Sequence, residues 1–116
     1  ESLGEASLLL EKGHVNTCVN RLYYACFYAV SALLLTEGLS SSKHSGVRSL
    51  FDLHWINQGR LPVESGRLYR DLFENRQRGD YEDLMTFDRI TVDEWLSQAG
   101  SFVDQIASLI TPRPPS

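Results

Sequence analysis

The sequence predicts an all-α fold, an antiparallel bundle of about five helices. Apolar residues recur at three- and four-residue intervals through most of the chain, and no stretch alternates polar and apolar residues long enough to compete as a strand. The run from Asn16 to Gly38 contains no interior Pro or Gly and is the longest uninterrupted helix signal.

The elements follow in order. Ser2-Leu3-Gly4 leads into a first helix with Ala6, Leu9 and Leu10 on one side, stopped near Gly13. The second opens around Asn16 and ends at Gly38. Leu39 to Ser42, rich in serine, reads as a loop that supplies an N-cap to a third helix. That helix sets Val47, Leu50, Phe51, Leu53 and His54 at helical spacing and fades around Asn57-Gln58-Gly59. Pro62 suits the first turn of a fourth helix, whose apolar face is Leu68, Leu72 and Phe73 and which runs to about Arg76. Gly79 to Ile90 lacks a sustained period and is expected to be a loop. Thr91 and Glu94 form a capping box for a last helix that buries Trp95, Phe102, Ile106 and Ile110. Residues 1–111 are therefore expected to form one helical domain, and 112–116 a Pro-rich tail.

Composition narrows the function classes. With 116 residues, 42% of them apolar and 22% charged, the chain can bury a single core. A net charge of −4 argues against holding nucleic acid through a broad basic surface, while leaving room for a local site. Nine of the eleven basic residues are Arg, and Arg60, Arg67, Arg70, Arg76 and Arg78 share one stretch. Arginine makes the better forked contact with phosphate or carboxylate; a genome favouring Arg codons accounts for the bias equally well.

No apolar run is expected to approach the roughly 20 residues of a membrane span, because Arg21, Tyr23 and Tyr24 interrupt the best candidate. Glu1 and Glu5 stand where a secretory signal would be basic, so a cytoplasmic location is expected; the start at Glu1 rather than Met is consistent with a short missing leader. Cys18 and Cys26, eight residues apart on one helix, are separated by about 12 Å of rise and are expected to be buried free thiols.

On a helical wheel of residues 15–37, Thr17, Arg21, Tyr24, Tyr28 and Ser31 fall within roughly 80° of one another. Asn20 flanks this stripe, and Val19, Leu22, Cys26, Ala29, Val30 and Leu33 form an apolar arc opposite. Two readings of Arg21 are open. It pairs with an acid such as Asp80 and pins two helices, or it holds a phosphate with a hydroxyl from Tyr24 or Tyr28. His14 and Cys18 have the spacing of a helical metal pair but lack a third ligand, so no metal or cofactor is expected. His54 beside Trp55 reads as packing. No nucleophile motif or phosphate loop is present.

The run Asn20-Arg21-Leu22-Tyr23-Tyr24-Ala25-Cys26-Phe27-Tyr28-Ala29 resembles the central motif of HEPN domains, small helical bundles associated with nucleotide or RNA chemistry. Lys43 to Phe51 and Arg76-Gln77-Arg78-Gly79-Asp80-Tyr81 resemble two further segments of the same prokaryotic branch, so the resemblance spans about Leu8 to Phe102. In its ribonuclease members, two copies dimerise and join an Arg to a His separated from it by four to six intervening residues on one helix. The Arg corresponds to Arg21, and the longest gap places Tyr28 where the His would be. A phenol with a pKa of about 10 is a poor base at neutral pH, although it can orient a phosphate. The resemblance also implies that Tyr28 could be adenylylated by a partner, as a tyrosine is in related toxins.

His44 stands where the family pattern also has a His, either as a structural group at the start of helix three or as the missing catalytic or phosphate-binding imidazole. Asp80 and Tyr81 are expected, with Asn20 and Arg76, to be structural or orienting; Asp80 would clamp Arg21 or Arg76. The expected function is a HEPN-like module acting as a homodimer or beside a minimal nucleotidyltransferase in a toxin–antitoxin-like or nucleotide-related system. A metal-independent endoribonuclease using Arg21 with Tyr28 or His44 is the first alternative, and a non-catalytic nucleotide-binding domain is the second.

Overall fold

The computed structural model describes residues 2–81 and 88–110, with side chains for 3–76 and 88–110. Among the described residues there are five helices and no strand: α1 (Ser2–Glu11), α2 (Val15–Leu35), α3 (His44–Phe51), α4 (Val63–Tyr81) and α5 (Arg89–Ile110). A turn of wider, π-type winding over Asp52–Ile56 continues α3, with the Asn57 N–H bonding back five residues to the Asp52 carbonyl at 2.8 Å.

The glycines that end α1 and α2 do so by one mechanism. Gly13 has φ +83°, its N–H reaches the Leu10 carbonyl, and the next N–H, of His14, reaches Leu9. Gly38 repeats the pattern with φ +72° and bonds from Gly38 and Leu39 to Leu35 and Leu34. A left-handed residue closing the last carbonyls in this way favours glycine, which has no Cβ to clash.

α2 is the central helix and packs against α1, α3, α4 and α5. Its Leu22, Cys26, Val30 and Leu34 meet Leu68, Tyr69 and Leu72 of α4 and Val92, Phe102 and Ile106 of α5 in one core. Each fully buried aliphatic or aromatic side chain there contributes about 1.5–3 kcal/mol of transfer free energy. Cys18 and Cys26 are buried free thiols, and burial pushes their pKa values up to about 11 and about 12. By length and a mean hydropathy of 1.3, α2 does qualify as a membrane span, contrary to expectation. Isolated polar residues did not lower the average enough to disqualify it, and eight of its side chains are buried inside the bundle.

Three other boundaries and burials differ from expectation. The backbone of α4 continues to Tyr81, so Gly79 to Tyr81 are helical where a loop was expected, and residues 82–87 of that expected loop lie outside the described residues. α5 starts at Arg89, because Asp88 does the capping expected of Thr91. Its carboxylate accepts from the Ile90 N–H at 3.4 Å and from the Thr91 hydroxyl at 3.2 Å. Val92 and Ala99 are buried with Phe102 and Ile106, while Trp95 and Ile110 are half-buried at the edge of the core. The tail at 112–116 lies outside the described residues.

Candidate functional site

The expected stripe lies on the outer surface of α2, whose opposite side is fixed by the core. Thr17, Arg21 and Tyr28 are exposed, while Asn20, Tyr24 and Ser31 are half-buried. Arg21 is not enclosed by the bundle. Its side chain is 51% exposed, and its acidic neighbour is Glu5 of α1, at 4.0 Å from Nε. A separation of that length between exposed groups is a weak tether. The expected partner Asp80, like Tyr81, has its side chain outside the described residues.

Tyr23, one position inward from the stripe, anchors a second group of residues. It is fully buried, and burial raises its pKa to about 12, so its hydroxyl remains a donor at neutral pH. That hydroxyl meets His44 Nδ1 at 2.9 Å. With Nδ1 accepting, the proton of the neutral imidazole sits on Nε2. The His44 ring stacks on Phe27 at 4.3 Å between centroids and meets Tyr24 edge-on at 5.9 Å. Burial, with help from the positive charge of Arg76, holds the His44 pKa below its usual value. Arg76 comes from α4 and lies over the rings of Tyr23 and Tyr24, at 4.9 and 5.7 Å from their centroids. Tyr69 stacks on Tyr23 at 6.0 Å, and burial also raises its pKa.

The first turn of α3, which carries His44, is fixed by a close approach. A Cβ on Gly46 would sit 2.1 Å from Ser41 Oγ and 2.8 Å from Ser41 Cβ, and that same Oγ accepts from the Lys43 N–H. The Ser41 loop therefore packs against a helix surface that only glycine leaves open.

Two of the expected site residues, His44 and Arg76, thus come together on the aromatic surface of α2. Arg21 and Tyr28 stand on the outer stripe, seven residues and about 10 Å of rise apart. Tyr28 joins the inner cluster through rings: its centroid is 6.0 Å from Tyr24 and 5.6 Å from Phe27. The contact with Tyr23 engages His44 Nδ1 and leaves Nε2 as its other ring nitrogen. Sequence reasoning left Tyr23 out of the site; its place four residues after Val19 and three before Cys26, on the buried arc, was the available signal. His14 is exposed while Cys18 is buried, so the two do not share a surface; His54 meets Trp55 edge-on at 6.4 Å. A cavity of about 580 Å³ between α4 and α5, with Leu68 and Phe102 among its lining, shares no residue with either group.

The HEPN domain model matches residues 1–109. A UPF0332 protein of Thermotoga maritima is 46% identical over 110 residues, which is 95% of this chain and 83% of the relative. A protein of Methanocaldococcus jannaschii named as a candidate toxin is 37% identical over 109 residues, 91% of this chain and 78% of its own. A second candidate toxin of that organism is 30% identical over 105 residues, 90% of this chain and 71% of its own.

Proposed function

Because the chain belongs to the HEPN family, we propose that it is the HEPN module of a toxin-like two-component system, acting as a homodimer through α2 and controlled by a nucleotidyltransferase partner. The observation that carries this reading is the outer face of α2. Tyr28 is 63% exposed and Leu35 65% exposed, with exposed Ala32 between them and Arg21 two turns before Tyr28. Large apolar side chains aligned on one helix face are a surface that a second copy can cover. Two such faces packed together bring two Arg21 guanidinium groups toward one cleft, where a phosphate would be held by both. The candidate-toxin names of two relatives support the system-level reading. In a single copy, before that face is covered, exposed Tyr28 is open to a modifying partner.

The relation between Tyr23 and His44 weighs against the ribonuclease alternative through His44. Nδ1 of His44 is engaged by Tyr23, and burial with Arg76 lowers the affinity of its imidazole for a proton. Binding of a nucleotide without chemistry is the second reading, favoured by Arg76 lying over the half-buried Tyr24.

The test is induced expression in a bacterial host. Wild type should arrest growth, folded Arg21→Ala should not, and a co-expressed cognate nucleotidyltransferase should relieve the arrest. Unimpaired growth with wild-type protein at high level would remove the toxin-like reading. Saturable nucleotide binding without arrest would favour the second.

A further inference from the structure

A second basic site lies away from α2, along the seam of α3 and α4. The two helices run antiparallel there. Arg76 acts on His44, Arg48 lies 5.3 Å over the Phe73 ring, Arg70 acts on Asp52, and a Cβ on Gly66 would touch Ile56 at 3.1 Å. From residue 44 to residue 56 the seam is about 18 Å long at 1.5 Å per residue. Toward its far end, the π-type turn and the first turns of α4 border an open pocket of about 330 Å³. Arg48, Arg67 and Arg70 line it with Asn57, and Asp52 is its one acid.

The state of these arginines distinguishes the pocket from an ordinary charged surface. Elsewhere, Arg60 is saturated: both of its terminal nitrogens bond the two carboxylate oxygens of Glu37. In the pocket, Arg48 stands 3.9 Å from Asp52 and 3.7 Å from Glu74, and Arg70 stands 3.6 Å from Asp71. Arg67 has no ion pair among the described residues. These separations exceed the 2.7–2.9 Å of a charge-assisted hydrogen bond, so three planar forks keep donors for another acceptor. Burial pushes the Asp52 carboxyl up, against the pull of Arg48 and Arg70. Asp52, Glu74 and Asp71 lie near Arg48 and Arg70 without a close hydrogen bond, and Arg67 adds a cation to the pocket wall.

We propose that this pocket binds a phosphate group, with Arg67 and Arg70 as the main ligands and Arg48 and Asn57 beside them. Two sources share that chemistry: the phosphate tail of a nucleotide, and the backbone of an RNA strand laid along the seam toward His44 and Arg76. The pocket shares no residue with α2, so its failure and that of the α2 reading are distinguishable.

The experiment titrates the full chain with inorganic triphosphate by calorimetry, and with a fluorescein-labelled oligouridylate by anisotropy at several salt concentrations. The variants are Arg67→Gln combined with Arg70→Gln, which are exposed positions, and Arg89→Gln as a control outside the pocket. The double variant should weaken binding by roughly tenfold or more, while the control stays near wild type. Loss confined to triphosphate assigns the nucleotide source. Loss of the oligonucleotide, with its salt slope reduced by about two, assigns the strand. If neither probe binds wild type, or both bind the double variant as well as wild type, the proposal is overturned.

Discussion

The Tyr23 hydroxyl is hydrogen-bonded to Nδ1 of His44 across 2.9 Å, joining the middle of α2 to the first turn of α3. The bond fixes the position of the imidazole. Replacing Tyr23 with Phe should cost about 1 kcal/mol in urea unfolding, a typical net value for one hydrogen bond. The same change in a His44→Phe background should cost measurably less, because the pair is then already broken. Equal costs in the two backgrounds would show that the contact carries no coupling energy.

The lowered pKa of His44 makes a signed prediction. Burial and Arg76 favour its neutral form in the native state, whereas the unfolded chain protonates near 6.5. Above that value both states are neutral at this site and the contribution is complete. As pH falls from 6.5 through the lowered native value, the unfolded state binds the proton first and stability is lost. An NMR titration should place the His44 midpoint below 6.5, and His44→Phe should flatten the acid side of the stability profile.

Gly46 should resist substitution for a reason specific to Ser41. Alanine there would overlap Ser41 Cβ as well as its rotatable hydroxyl, and should destabilise by about 1–3 kcal/mol. In a Ser41→Gly background the overlap is gone, and the higher helix propensity of alanine should make Gly46→Ala neutral or stabilising. Thermal melts of the two single variants and the double variant check both signs.

Arg60 ties the end of α2 to the connection between α3 and α4, with its guanidinium forked on Glu37 and 4.4 Å over the Trp55 ring. A lysine cannot reproduce a planar fork that also stacks. Arg60→Lys should therefore lower the thermal midpoint nearly as much as Arg60→Ala. Full retention by Lys would reduce the contact to simple charge.

Much of the fold was legible because its signals are local. Gly13 and Gly38 close their helices through the left-handed backbone that glycine favours, and the apolar arc of α2 appears in its spacing. Asp88 was hidden by a neighbour: Thr91 and Glu94 form a plausible capping box, and choosing between two caps needs the position of the helix. Gly79 did not end α4, since a single glycine costs only about 1 kcal/mol in a helix interior. The α2 stripe was visible on a wheel, but the contact of Arg21 with Glu5 depends on how α1 lies against α2. Tyr23 and Arg76 meet across two helices far apart in sequence, a juxtaposition that periodicity does not encode.

The most direct measurement of the central claim is the mass of the full chain by sedimentation at micromolar concentration, for wild type and for Tyr28→Asp. The proposed self-association through α2 predicts that wild type sediments as a dimer, and that the charged variant is monomeric with an unchanged circular dichroism spectrum. A wild-type monomer across the micromolar range, or a dimer that tolerates Asp at position 28, would contradict self-association through that face.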